Sequence, residues 1–166
     1  SGTRVPESAY MNDKPFPLLT AKAISETNEV KNVHQFNKND IRHTRSIGDI
    51  LGLEHLEVHL VRIAPGNDTT QFHFHHQDEE FIYILEGKGT AEIGDELVEV
   101  KAGDFMAFTQ NSLPHCMHNS NAEDLVYLMG GTRSGIDVCD YPKINRRMYR
   151  ENGKKTFVDL SQVDDI

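Results

Sequence analysis

Apolar and polar positions alternate through the middle of the chain, which is the pattern of β-strands with one buried face. The run LEHLEVHLVRIAPG places Val58 and Leu60 on one face, places Val61 and Ile63 on the other, and ends in a Pro-Gly turn signal. Further short β-prone runs follow, most of them separated by turn residues: TQFHFHH, EFIYILEG, GTAEIG, LVEVKAGD, FMAF, LPHCMHN and DLVYLMGG. Many short strands with turns between them predict an all-β, antiparallel sandwich or barrel.

The two ends of the chain differ from this pattern. Residues 1–40 show little periodicity, and SETNEVKNVHQFNKND at 25–40 is interpreted as loop. The C-terminal part carries six basic side chains and one acid between Lys143 and Lys155, and then KTFVDLSQVDDI, which predicts one last short strand. We therefore expect an irregular N-terminal arm at 1–40, a barrel at 41–135, and a polar C-terminal extension at 136–166 that packs on or near the barrel.

Composition narrows the class of protein. A chain of 166 residues with 37% hydrophobic residues is long enough for one packed domain. A net charge of -9 argues against nucleic acid as a partner, because its phosphates would be repelled. Cys116 and Cys139 are too few for a disulfide framework, so we expect reduced thiols in a cytoplasmic protein. Since neither a long apolar run nor a leader pattern is seen, no membrane association is expected.

The stretch QFHFHHQDEEFIYILEG at 71–87 concentrates polar chemistry before an apolar strand. Side chains alternate along a strand, so His73 and His75 share one face and His76 points away. Two imidazoles about 6–7 Å apart along a strand can converge on one ion with bonds of about 2.0–2.2 Å. If HQDE is a turn, Glu80 returns beside the pair, and His115 in LPHCMHN is a candidate for a third nitrogen. Such a set suits Fe, Mn, Ni, Co or Zn and leaves coordination positions open.

The spacing of these residues resembles the two motifs of the cupin superfamily. In the first motif, Gly66 is followed by six residues, HFH, four residues, Glu80, six residues and Gly87. The end of the second motif is matched by His115 and Asn119. The resemblance implies an antiparallel jelly-roll barrel, or double-stranded β-helix, with one divalent metal ion. By position in the motifs, the implied ligands are His73, His75, Glu80 and His115.

The resemblance covers the motifs at 66–119, and the flanking strands extend it to about 55–130. It departs from the family before the second-motif histidine, where Gln110 and Ser112 replace the usual proline and glycine. This departure bears on the geometry of the loop before His115 more than on the role of His115 as a ligand.

The sequence determines the function less well than the fold, because one fold can support many different reactions. The one-barrel format is similar to small bacterial cupins described as candidate sugar-phosphate isomerases. That similarity implies a metalloenzyme of isomerase or lyase type acting on a polar, sugar-phosphate-like or carboxylate substrate, in which the ion polarises a carbonyl. The alternatives are an Fe(II)-dependent dioxygenase and a non-catalytic small-molecule binding or sensor protein. Catalytic residues, including the base, are not assigned.

Several residues near the expected site keep two interpretations. One face of the strand with His59 and Arg62 lines the barrel, and the sequence does not decide which. The basic run is either a tail that is solvated or paired with the acidic surface, or a segment that closes over the barrel mouth or reaches a partner subunit and supplies Arg146 or Arg147 to an anionic ligand. Glu79 is the fallback ligand beside Glu80.

A second copy of the chain is the expected protein partner. Cupins commonly pair through sheet edges, and the arm at 1–40 is able to swap onto a partner barrel. We therefore predict a homodimer that binds a polar or anionic small molecule.

Overall fold

A computed structural model of the protein describes residues 14–166, so the first part of the predicted arm, residues 1–13, lies outside the described residues. These residues form short strands, two short α-helices and a terminal 3-10 helix at Leu160–Gln162. The α-helices are α1 (Ala21–Glu26) and α2 (Ile47–Ile50). The strands are β1 (Val30–His34), β2 (Asn37–Arg45), β3 (Leu56–Ile63), β4 (Phe74–His75), β5 (Glu80–Glu86), β6 (Lys88–Ile93), β7 (Glu96–Lys101), β8 (Phe105–Phe108), β9 (His115–His118), β10 (Leu125–Thr132), β11 (Ile136–Tyr141), β12 (Arg146–Glu151) and β13 (Lys154–Asp159).

The strands assemble into three sheets in which all the strand pairs are antiparallel. The largest sheet has the order β1-β2-β3-β10-β5-β8, the second β13-β12-β11-β4, and the third β7-β6-β9. Neighbours that are distant in sequence, such as β4 with β11 and β6 with β9, are typical of a jelly-roll. The predicted all-β antiparallel barrel is confirmed.

The main core lies between the six-stranded and the three-stranded sheets. Its buried side chains come from alternate positions of β3, β5 and β10 and from β6 to β9: Val61, Ile63, Ile82, Ile84, Ala91, Val100, Phe108, Met117, Leu125 and Tyr127. A smaller cluster of Cys139, Tyr141 and Met148 lies on the inner face of the four-stranded sheet. Within residues 14–166, none of the helices has the length and apolar character that crossing a membrane requires.

The segment at 25–40, interpreted as loop from the sequence, instead contains β1 and the start of β2. These two strands pair as a hairpin, with Val30 opposite Thr44, and β2 then pairs with β3. The alternation that reveals a strand is weak here because four of the five residues of β1 are exposed. β2 also crosses the expected boundary at residue 40.

The C-terminal extension forms three strands of the four-stranded sheet. β11 pairs with the two-residue strand β4, with Cys139 opposite His75, and β12 and β13 continue the sheet outward. The last strand predicted from KTFVDLSQVDDI is present as β13. The extension therefore lies against the strand that carries the predicted histidine pair.

Candidate metal centre

Three strands bring the four predicted ligands together. His75 lies in β4, Glu80 begins β5 and His115 begins β9. His73 precedes β4 and exchanges two backbone hydrogen bonds with His115, of 3.2 and 2.9 Å. This isolated bridge fixes the two motif segments side by side, although 42 positions separate them in the chain.

The three imidazoles turn their Nε2 atoms toward the carboxylate of Glu80. Oε1 of Glu80 lies 2.6 Å from Nε2 of His115 and 3.5 Å from Nε2 of His73. Its Oε2 lies 3.9 Å from Nε2 of His75. The ring centroids of His73 and His75 are 5.1 Å apart, and those of His73 and His115 are 4.8 Å apart. Ligand atoms of His73, Glu80 and His115 all lie within 4.8 Å of one another, which is close enough for one shared ion.

Hydrogen bonds at the opposite ring nitrogens prepare the imidazoles for metal binding. Nδ1 of His73 and Nδ1 of His115 lie 2.7 and 3.2 Å from backbone carbonyl oxygens. Nδ1 of His75 lies 2.6 Å from Oδ2 of Asp137. Because these acceptors favour a proton on Nδ1, the neutral ring keeps its Nε2 lone pair for a metal ion, which would replace the contacts that Nε2 of His73 and Nε2 of His115 now make with Glu80.

At Glu80 and His73 the pKa shifts favour the protonation states that a metal needs, whereas at His75 burial is outweighed by the hydrogen bond with Asp137 and the charge of Glu80, which raise the pKa. Burial raises the pKa of Glu80, but hydrogen bonds from His115 and His73 outweigh it and hold the pKa well below its usual range. Burial lowers the pKa of His73 despite the nearby Glu80 carboxylate. An anionic carboxylate beside a neutral imidazole suits a divalent transition metal. His73, Glu80 and His115 are therefore able to hold one ion, with His75 beside them.

The other polar residues of the motif turn away from this centre. His76 lies with Nε2 at 2.9 Å from Oδ2 of Asp140, and His118 lies with Nδ1 at 2.6 Å from Oδ1 of Asp68. Glu79 is exposed. Strand alternation accounts for His118 on β9, whereas His76 and Glu79 lie in the connection between β4 and β5.

Three of the four candidate metal ligands lie in the wall of a cavity of about 820 Å³ between the six-stranded and four-stranded sheets, whereas His115 is not part of its lining. His73, His75 and Glu80 line it, together with residues of β1, β2, β3, β11, β12 and β13. A space of this size accommodates a small organic molecule.

The structure decides which face of β3 meets this cavity. His59 lines the cavity, with Nδ1 at 3.0 Å from Oγ of Ser46 and Nε2 at 3.3 Å from Oε2 of Glu57. Arg62 has the opposite parity and forms ion pairs with Glu29 and Asp124. The two alternatives for this strand are thereby resolved in favour of His59.

The basic run also reaches the cavity, but through other side chains than those named from the sequence. Arg146 and Arg147 pair with aspartates, at 3.6 and 2.6 Å, and neither lines the cavity. Arg150 and Lys155, which lie opposite each other on β12 and β13, do line it. Arg146 and Arg147 therefore do not face the cavity of their own chain, because β12 presents its other end to the mouth, and the alternative that they reach a partner subunit stays a prediction.

Two residues near the ligands were missed from the sequence. Asp137 is fully buried, bonds His75, and accepts the backbone N–H groups of Gln77 and Asp78 at 2.9 and 3.2 Å. The thiol of Cys139 lies within 4.8 Å of ligand atoms of His73 and His75. Both come from β11, and only the pairing of β11 with β4 brings them to the site.

Comparisons with known proteins agree with this architecture. Residues 59–131 match the family model for the cupin domain. The crystal structure of a candidate sugar phosphate isomerase from Acidithiobacillus ferrooxidans is 38% identical and superposes with a TM-score of 0.87 over 90% of this chain and 96% of that chain. The crystal structure of a sugar phosphate isomerase from a cupin superfamily, from Silicibacter pomeroyi, is 23% identical. It superposes with a TM-score of 0.79 over 88% of this chain and 94% of that chain. At this identity the likeness supports the fold alone.

One curated relative is an uncharacterised protein of Methanocaldococcus jannaschii. It is 34% identical over 80 residues, which are 48% of this chain and 56% of that protein. The match thus spans little more than half of that relative's length.

Proposed function

Since this chain belongs to the cupin superfamily, we propose that it is a metal-dependent enzyme of isomerase or lyase type acting on a polar small molecule such as a sugar phosphate. The observation that carries the proposal is the convergence of three imidazoles on one carboxylate, with His73, His75 and Glu80 in the wall of a cavity of about 820 Å³. The description of the 38% identical Acidithiobacillus ferrooxidans protein as a candidate sugar phosphate isomerase supports the same reaction class.

In this proposal His73, His75, Glu80 and His115 hold the ion, which when bound acts as a Lewis acid on a substrate carbonyl. Glu80 is then occupied as a ligand and does not serve as the base. An isomerase needs a second group that removes a proton from one carbon and returns it to the neighbouring carbon.

Glu57 and His59 are the groups in the cavity that fit this role. In the six-stranded sheet, Gly131 on β10 lies opposite Glu57 on one side and opposite Glu80 on the other. The backbones of Glu57 and Glu80 are therefore two strand spacings apart, at about 4.8 Å for each spacing. Gly131 has no side chain to fill the space between them. Burial raises the pKa of Glu57, but the hydrogen bond with His59 outweighs it and the pKa is lowered, so the carboxylate is ionised at pH 7, as a base has to be.

The decisive experiment combines elemental analysis with an isomerase assay on protein purified without a metal-binding tag. We expect about one divalent transition metal ion per chain and aldose–ketose interconversion of a sugar phosphate that stops when a chelator removes the ion. The variant Glu57→Gln should retain the metal and lose at least about a hundredfold in kcat. Arg62→Gln, on the outer face of the same strand, is the matched control and should retain activity.

Three outcomes would overturn the proposal. Protein without bound metal would remove the site itself. Oxygen consumption with a ferrous ion would favour a dioxygenase. Binding of small molecules without turnover, under both aerobic and anaerobic conditions, would favour a sensor.

A further inference from the structure

Basic side chains from three strands meet at one part of the cavity wall. His34 on β1, Arg42 on β2 and Lys155 on β13 all line the cavity that contains the metal ligands. β1 and β2 belong to the six-stranded sheet and β13 to the four-stranded sheet, and Arg42 and Lys155 are both near enough to His34 for their charges to add to burial in lowering its pKa.

Arg42 and Lys155 differ from the other cations of the cavity in lacking a hydrogen-bonded acid. Arg133 and Arg150 each bond an aspartate, at 2.6 and 2.5 Å. Lys155 forms no ion pair with any residue in 14–166. Nε of Arg42 is buried without a hydrogen-bond partner in the described chain, and Oδ1 of Asp40 stands 3.8 Å from it. The Arg42 side chain is 29% exposed, so an anion in the cavity can meet the exposed part of this side chain but not the enclosed Nε.

His34 adds a hydrogen-bond donor without adding charge. Its Nδ1 accepts the backbone N–H of Phe36 at 3.2 Å, so the ring proton lies on Nε2. Burial, and then the positive charges of Arg42 and Lys155 among its neighbours, lower the pKa of His34 to about 4. The ring is therefore neutral at pH 7.

The acids that line the same cavity lie on other elements. Glu57 is on β3, Glu54 immediately precedes β3, and Glu80 is on β5. The strands β1 and β13 contribute polar and basic side chains to the lining, but no acid. The cavity thus has one region suited to an anion and another that holds the candidate metal centre and the Glu57–His59 pair.

We propose that His34, Arg42 and Lys155 form a subsite for the phosphate group of a phosphorylated substrate whose other end meets the metal centre. This inference rests on the proposed function and specifies its substrate class. Two cations and one neutral donor match the charge and the acceptor oxygens of a phosphate dianion better than those of a single carboxylate. A cavity of about 820 Å³ has room for a phosphorylated sugar between the two regions.

The test is calorimetric titration of the purified chain with glucose 6-phosphate, glucose and inorganic phosphate, each before and after treatment with a chelator. We expect glucose 6-phosphate to bind at least about tenfold more tightly than glucose, because charge-assisted hydrogen bonds are worth more than 1.4 kcal/mol. Binding of inorganic phosphate should persist after chelation, since the subsite does not include the metal. Loss of phosphate binding on chelation would place the anion on the ion and overturn the proposal.

Variants separate the subsite from general electrostatic attraction. Lys155→Gln, at an exposed position where folding is not at risk, should weaken glucose 6-phosphate binding at least about tenfold. Adding Arg42→Gln should weaken it further, with unchanged metal content. Lys154→Gln is the matched control, because Lys154 is the exposed neighbour on the same strand and does not line the cavity. Equal effects of Lys154→Gln and Lys155→Gln would refute the subsite.

These titrations measure binding alone, so they are independent of whether the enzyme proposal succeeds. A chain that binds phosphate through Lys155 but converts no sugar phosphate would retain the subsite and lose the isomerase assignment. A chain that isomerises substrates while Lys155→Gln binds them normally would retain the enzyme and lose the subsite.

Discussion

At the scale of single residues, Asp137 holds the ring proton of His75 on Nδ1, and a conservative substitution should move that proton to the other nitrogen. The variant Asp137→Asn keeps an oxygen for the backbone N–H groups of Gln77 and Asp78, but its amide would donate to Nδ1 of His75. The imidazole proton would then move to Nε2, where it blocks the lone pair that a metal needs. We expect metal affinity to fall by about 10–100-fold in competition with a chromogenic chelator.

The control for this prediction is Asp140→Asn, because Asp140 makes a similar carboxylate–imidazole contact with His76, which does not face the metal centre. Metal affinity of that variant should equal the parent's. An equal loss in both variants would show that the sheet has been disturbed and that Asp137 does not act through His75.

Asp40 predicts a dependence of stability on pH. Its carboxyl is fully buried and both oxygens lack hydrogen-bond partners within the described chain, and burial raises its pKa from 3.8 to about 6. Because the folded state favours the neutral acid, this carboxyl destabilises the fold progressively as pH rises from about 4 to about 6, and fully above that. The variant Asp40→Asn should be more stable than the parent at pH 8, by up to about 3 kcal/mol.

Urea unfolding at pH 8 and at pH 4 measures this difference, which should nearly vanish at the lower pH. Asp95→Asn, at an exposed position, serves as the control and should change stability little at either pH. A constant advantage of Asp40→Asn at both pH values would contradict the assigned cause.

Spacing and strand alternation were sufficient to predict His73, His75 and Glu80 as neighbours, because the three lie within eight positions joined by one turn. Local patterns did not reveal Asp137 and Cys139. Those residues reach the site only through the pairing of β4 with β11, across more than sixty positions, and no periodicity encodes such a partner.

At the scale of elements, Gly87 ends β5 in a conformation that other residues disfavour. Its φ is +81°, and a Cβ there would lie 2.3 Å from the carbonyl oxygen of Asp124. Gly87→Ala should therefore incur both the left-handed backbone cost of about 1–2 kcal/mol and a steric clash with backbone. We expect a loss of at least about 3 kcal/mol in the free energy of unfolding, measured with urea.

Gly103→Ala isolates the backbone contribution. Gly103 has a φ of +95°, but a Cβ there would have open space around it. This variant should lose only about 1–2 kcal/mol. Equal losses at the two glycines would mean that the turn after β5 yields to relieve the contact with Asp124.

The elements that alternation predicted are those with one buried face, such as β3, where Val61 and Ile63 face the core. The β1–β2 hairpin was missed because its first strand is mostly exposed and rich in polar residues. Its position depends on the pairing of β2 with β3, a tertiary contact that local propensity does not report.

At the scale of the whole molecule, the cavity is built by the barrel and the C-terminal extension together. Strands β1 to β3 form one side and the C-terminal strands β11 to β13 the other, so both ends of the described chain are needed to enclose it. The metal ligands come from the middle of the chain, while the proposed phosphate subsite comes from the two flanks. Substrate preference can therefore vary among cupins without change in the metal motif.

Self-association is the remaining property of the whole molecule that we predict. β1 is one edge of the six-stranded sheet among the described residues, and 58% of Val30 on this strand is exposed. An edge strand with exposed apolar side chains is a surface for pairing with a second copy. We expect light scattering at micromolar concentration to give twice the chain mass of 18.8 kDa.

Val30→Lys should shift this mass to that of the monomer, because a lysine on the edge opposes strand pairing. Leu97→Lys is the matched control, since Leu97 is 72% exposed on β7 in another sheet and its substitution should leave the dimer intact. A monomeric parent would refute the dimer itself. A dimer that survives Val30→Lys but dissociates with Leu97→Lys would place the interface on the three-stranded sheet and exclude pairing through β1.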